Sequence, residues 1–352
     1  MLAFSCQVCA HLVTFESVRC LNCSSRLAYD PGQRAMRALP RDGETAVCVN
    51  AELAACNWLA PGPETLCASC ALTRTRPNDS DEQGLAGFAR AEAAKRRLLF
   101  ELYELRLPVE SWREREGGLA FEMLSSSSHP VTTGHADGMI TLDLAETDPA
   151  RREPLRVALG ERYRTVLGHL RHEVGHYYQP ILVPAGSAAE GEMRELFGDE
   201  RDDYQAALER HYESGPPADW QQAYVSAYAT MHPWEDWAET FAHYLHIRDT
   251  MQTAAAHGVL VAGPAIETAD EAPLESDPAA AERDSIAELL QAWIPLTFAL
   301  NAISRSMGAE DVYPFVLAPA AMRKLEFVGR TIERAAAHAA DAPGGRAVPA
   351  GR

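Results

Sequence analysis

Past Cys70 the 352-residue chain contains no cysteine, so most of its length must fold without disulfides or thiolate-bound metal. Positive charge is scarce too: 32 Lys and Arg face 50 Asp and Glu, a formal net charge of −18. Phosphate contacts demand clustered cations, which argues against nucleic acid as a partner of the chain at large. No apolar run approaches the length of a membrane span, so no membrane association is expected. The start, Met1-Leu2-Ala3-Phe4-Ser5-Cys6, lacks the basic and apolar segments of a secretory signal. The expectation is a cytoplasmic protein with reduced thiols, and the hydrophobic share of 47% is that of an ordinary globular chain.

What is present is concentrated. The eight cysteines sort by spacing into two quartets. Cys6-x2-Cys9 and Cys20-x2-Cys23 are two tight knuckles on a short arm, the way a zinc ribbon gathers four thiolates around one tetrahedral ion. Cys48, Cys56, Cys67 and Cys70 form a looser set with one CxxC at its end; buried free thiols are the alternative for Cys48 and Cys56. A four-thiolate site has no open position, so both ions are expected to be structural. Across residues 1 to 75 arginines and acids nearly balance, and the basic run Arg34 to Arg41 reads as a solvated linker.

The most informative stretch is His172-Glu173-Val174-Gly175-His176. Val166, Leu167, Leu170, Val174 and Tyr177 recur at helical steps between Tyr163 and Tyr178, and Gln179-Pro180 marks a stop. Side chains four apart share a helix face, so the two imidazoles can hold one metal ion, with Glu173 beside them as a base rather than a ligand. His169 lies too far along the axis from His176 to join them, and reads as a supporting or surface residue.

A catalytic zinc needs a third protein ligand and an open position for water. The best source is the segment His232 to His246, which has a proline near its start and no later breaker. Glu235, Glu239, His243 and His246 share one face there, and the small Ala238 permits close approach. Glu235 is the candidate ligand, and Glu239, one turn on, the candidate that steadies a ligating histidine. A rival pair, Asp199 and Glu200, lies nearer in sequence; Asp199 also reads as the N-cap of a helix from Glu200 to Tyr212.

Glu235 and Glu239 resemble the pattern of the gluzincin branch of HExxH metallopeptidases. The whole chain resembles a family of bacterial zinc-binding metallopeptidases with an N-terminal zinc-ribbon region. That likeness rests on the paired knuckles, Cys56-Asn57-Trp58-Leu59 with Cys67-Ala68-Ser69-Cys70, Arg171 to Tyr178, Phe197-Gly198-Asp199-Glu200-Arg201, and the Trp234 to His246 helix. It implies an α+β fold: a mainly helical zincin-like catalytic domain with a small antiparallel or mixed sheet, preceded by a small zinc-ribbon domain. Composition places the ribbons at 1–75, a polar linker at 76–84, the metallopeptidase core at 85–261, a flexible acidic segment at 262–285, helices at 286–337 and a disordered tail at 338–352. In zincins an edge strand upstream of the metal helix pairs with extended substrate, and Gly138 to Leu144 resembles it in position and alternation.

The expected chemistry is hydrolysis of a peptide or related amide bond in a peptide or protein substrate, using one catalytic and two structural zinc ions. Tyr224, Tyr228, His232 and His243 are the candidate oxyanion donors. The competing expectation is an adaptor that binds protein or nucleic acid through its ribbons, with the HExxH domain as a scaffold. In a combined form the ribbons bind a protein partner and present the peptidase to it.

Overall fold

The computed structural model describes residues 1–40, 45–127, 129–152, 165–263, 275–281 and 285–341. They form two compact units, one built from residues 2–155, 165–177 and the end of the last helix, the other from Met1 and residues 178–333.

In the first unit β1 (Phe4–Ser5) pairs with β2 (Leu12–Val13), and β3 (Leu27–Asp30) with β4 (Ala35–Ala38), both antiparallel. Hairpins this short bury no core of their own. Phe4, Phe15 and Tyr29 instead pack on Phe100 of α1 (Glu82–Glu104), with the Phe15 and Phe100 ring centroids 5.2 Å apart, and Trp58 packs on Tyr29 at 5.2 Å. α1 starts where the Asp81 carboxylate accepts from Gly84 N at 2.7 Å, an N-cap that satisfies one orphan amide.

β5 (Thr73–Thr75), β6 (Ala120–Leu124), β7 (Gly134–Ala136) and β8 (Met139–Asp143) make one mixed sheet in the order β5-β6-β8-β7. β5–β6 and β6–β8 are parallel and β7–β8 antiparallel, so the α+β class with a small mixed sheet holds. The position expected for the edge strand is corrected. β8 is interior, and the edge is β7, which begins at the end of the loop-like Ser, His, Pro and Gly stretch Ser125 to Gly134. The cause is a two-residue turn: Asp137 and Gly138 have φ of 47° and 81°, the twist that folds β7 back along β8. A Cβ on Gly138 would sit 2.3 Å from the Gly117 carbonyl oxygen.

α2 (Val166–Leu182) is capped by Thr165, whose hydroxyl accepts from Gly168 N at 2.9 Å. It runs two residues past the stop expected at Pro180. In the last turn a proline deletes one hydrogen bond and leaves little helix to disrupt, and Val183 N closes the end on Gln179 O at 2.9 Å. The part of α2 up to Tyr177 belongs to the first unit. There Arg171 donates to Glu101 of α1 at 3.0 Å with both side chains buried.

The second unit contains α3 (Ala188–Phe197), α4 (Tyr204–Ser214), α5 (Pro233–Ala256), the short α6 (Pro278–Ala281), α7 (Ile286–Ser306) and most of α8 (Pro319–Asp341). Its core is aromatic: Trp237 of α5 meets Phe197 of α3 at 5.9 Å and Phe327 of α8 at 6.2 Å. Lys324 of α8 donates to Asp236 of α5 at 2.6 Å in the same interior. Burial still pushes the Asp236 carboxyl up to about 7.

Two expectations change here, the N-cap and the absence of a span-length run, and two more fall partly outside the described residues. Asp199 is not the N-cap; α4 opens at Tyr204 under Asp203, which accepts from Ala206 N at 3.0 Å. Of the segment at 262–285, residues 264–274 and 282–284 lie outside the described residues, while β9 (Val261–Ala262) and β10 (Glu275–Ser276) pair antiparallel. α8 continues to Asp341, and the rest of the tail also lies outside the described residues. Finally, the absence of a span-length run is corrected by α7, which with a mean hydropathy of 1.4 is long and apolar enough to cross a membrane. Gln291, Thr297 and Asn301 interrupt its apolar run without lowering that mean enough to exclude it. Leu289, Leu290, Trp293 and Leu296 are buried, whereas Ile294, Phe298 and Ile303 are exposed.

Gly138→Ala is expected to destabilise the protein by more than about 1 kcal/mol, because an L side chain at positive φ is strained and its Cβ meets backbone. Urea unfolding of the variant beside the wild type measures this, and an unchanged midpoint would contradict the turn assignment.

Candidate metal centres

In each cysteine quartet, Cys6, Cys9, Cys20 and Cys23, and Cys48, Cys56, Cys67 and Cys70, the four sulfurs lie within 4.8 Å of one another. The Cys6–Cys23, Cys9–Cys20 and Cys56–Cys67 separations are each 3.6 Å. A disulfide would need about 2.05 Å. Four sulfurs at about 2.3 Å from a tetrahedral zinc would stand about 3.8 Å apart, so the donor sets fit zinc. Cys48 and Cys56, which lack a knuckle, are members of the second set, and Cys67 N donates to Cys48 Sγ at 3.3 Å. Hydrogen bonding with Ser25 lowers Cys23 to about 6.

On α2, His172 and His176 are buried with ring centroids 4.9 Å apart, and Glu173 is buried beside them. His169 has a more specific place than expected. Its Nε2 is 3.3 Å from Glu173 Oε1, and its Nδ1 is 2.7 Å from Oε2 of Glu146, in the turn after β8. Burial alone would lower the His169 pKa, but the two carboxylates raise it to about 9. Burial would likewise raise the Glu173 carboxyl, yet His169 and the neighbouring imidazoles hold it below the ordinary value.

Sequence reasoning missed His135. It sits on the edge strand β7 with its ring nearly parallel to His176, centroids 6.3 Å apart, and its Nε2 accepts from Gly138 N at 3.1 Å. Burial and the nearby His176 push it down to about 4. The Asp137-Gly138 turn was the available signal, since that dipeptide marks a hairpin and hence a strand before it.

On α5, His232 is the N-cap. Its Nδ1 accepts from Trp234 N and its Nε2 donates to Asp202 O, both at 3.0 Å, so both ring nitrogens hold the start of the helix. Pro233 occupies the first helical position, where its missing N–H costs nothing. Glu235 is buried, and Tyr204 donates to its Oε1 at 2.9 Å. Nothing in the spacing marked Tyr204, which comes from a separate helix. Glu239 accepts from Ser226 Oγ at 2.5 Å. His243 Nδ1 meets Tyr313 OH at 2.7 Å, Tyr224 lies under the Lys324 ammonium at 4.2 Å, and Tyr228 packs edge-on against His211. The rival acids face arginines: Asp199 pairs with Arg201 at 2.6 Å and Glu200 accepts from Arg194 at 3.0 Å.

The model of a family described as "Putative zinc-binding metallo-peptidase" matches residues 84–331, and that of a zinc-ribbon domain matches residues 3–81. Two uncharacterized proteins, Rv2568c of Mycobacterium tuberculosis and Mb2598c of Mycobacterium bovis, are each 47% identical over 339 residues, covering 96% of this chain and 96% of theirs. No solved structure matches the chain.

Cys23→Ser and Cys70→Ser are each expected to lower bound zinc by about one ion per chain, since each removes one of four thiolates. Elemental analysis of the purified variants reads this directly, and an unchanged count in either would remove that quartet as a zinc site.

Proposed function

The chain belongs to the zinc-binding metallopeptidase family, and on that footing we propose that it hydrolyses a peptide or related amide bond, with zinc held by His172, His176 and Glu235 and Glu173 as general base. The set supplies two imidazoles and one carboxylate, all buried, the composition that holds a catalytic zinc while leaving a position open for water. Bound there, the ion supplies an acidified water, its pKa brought towards about 7, and a Lewis acid for the substrate carbonyl.

The remaining steps belong to side chains. The Glu173 carboxylate takes the proton of the attacking water and later gives it to the leaving amine nitrogen. The observation that carries this reading is the buried arrangement on α2, two imidazoles one turn apart with the Glu173 carboxylate next to them. A site built only to bind metal has no need of that carboxylate. Tyr204, by donating to Glu235, restricts the orientation in which that carboxylate is offered. The two cysteine quartets act as structural sites, because four thiolates complete the coordination of zinc.

Glu173→Gln is expected to keep about three zinc ions per chain while hydrolysis of a peptide library falls by about 10²-fold or more. Undiminished turnover would remove Glu173 as the base. Glu235→Ala is expected to lose about one zinc ion; a count equal to wild type would remove Glu235 as a ligand.

A further inference from the structure

We propose that His169, anchored by Glu146, is the positioning residue of the general base: its ring bridges the two carboxylates and fixes where Glu173 stands on the face of α2. This rests on the reading of Glu173 as the base.

His169 and Glu173 are four residues apart on one helix, so they are neighbours on its surface. By itself such a pair constrains little, since an imidazole can turn away from its partner. Here the other end of the ring is tied. Nδ1 is 2.7 Å from Glu146 Oε2, and the second oxygen of Glu146 takes the Thr133 hydroxyl at 2.6 Å. Thr133 in turn accepts from Asp143 N at 3.0 Å, and Arg152 donates to the Glu146 carbonyl at 3.0 Å. The Glu146 carboxylate is therefore held at Oε1 by Thr133, just before the β7–β8 hairpin, and its backbone by Arg152, which leaves Oε2 facing His169. His169 cannot rotate without breaking that contact, and its Nε2 stays 3.3 Å from Glu173 Oε1.

A glutamate has three rotatable bonds, and a base must be held within about 0.5 Å of its working position. Packing alone would be satisfied by an apolar side chain at position 169. Instead both ring nitrogens face carboxylates, one of them the base.

The test compares zinc-loaded full-length wild type with His169→Leu, His169→Gln and Glu146→Ala. In crystal structures, His169→Leu and Glu146→Ala are expected to move or disorder the Glu173 carboxylate by more than about 0.5 Å, while His169→Gln, whose amide nitrogen carries two N–H donors, one for each carboxylate, keeps it in place. In peptide hydrolysis His169→Leu is expected to lower kcat by about a hundredfold with KM and zinc content unchanged, and His169→Gln to restore most of it. An undisplaced Glu173 in His169→Leu and Glu146→Ala overturns the proposal. If the wild type cleaves no peptide, the hydrolase reading fails, and the crystallographic comparison still decides the role of His169.

Discussion

A charge taken out of water must find a partner, and that constraint fixes the faces of the helices that carry the candidate site residues. Arg171, immediately before His172, is buried against Glu101, so α2 is locked to α1 at the residue next to its first imidazole. Asp236, immediately after Glu235, is buried against Lys324, so α5 is locked to α8 at the residue next to the candidate carboxylate ligand. Adjacent helical residues are separated by about 100° around the axis. Pinning one therefore sets the direction of the next. Neither pair need add much net stability, but each makes the alternative rotation of its helix costly, because that would leave an unpaired buried charge.

The same logic extends to the cysteine-rich region. Glu92 and Lys95 of α1 are wholly buried and 2.6 Å apart, and Glu92 also takes the hydroxyl of Thr73 on β5 and faces Cys70 Sγ at 3.6 Å. Together with the aromatic packing on Phe100, this ties the second quartet and the first strand of the mixed sheet to α1. Zinc, hydrophobic contact and a paired interior charge thus act on one small region whose hairpins are too short to stand alone.

Much of the candidate site could be read from the sequence because its signals are local. The quartets are a matter of spacing, and the HExxH residues need only the helical period. Where the reading went astray, a non-local or end effect decided. Pro180 lies close enough to the end of α2 for the helix to absorb it. Asp199 looked like a cap, but Arg201 and Arg194 claim it and Asp203 does the capping. β7, only three residues long, begins at the end of the loop-like stretch Ser125 to Gly134, although Asp137-Gly138 carried the turn in plain view. α7 escaped notice as an apolar run because glutamine, threonine and asparagine interrupt it.

The sequence by itself determined the family, the two thiolate quartets and the helix face that offers His172, Glu173 and His176, since each follows from residue type and short-range period. Only the tertiary structure decided the partners of individual side chains within each unit: Glu146 and Thr133 behind His169 and His135 beside His176 in the first, Tyr204 on Glu235 in the second. Those contacts join residues 13 to 41 apart along the chain. Contacts at such separations are set by how strands and helices stack, and no spacing rule within one element encodes them.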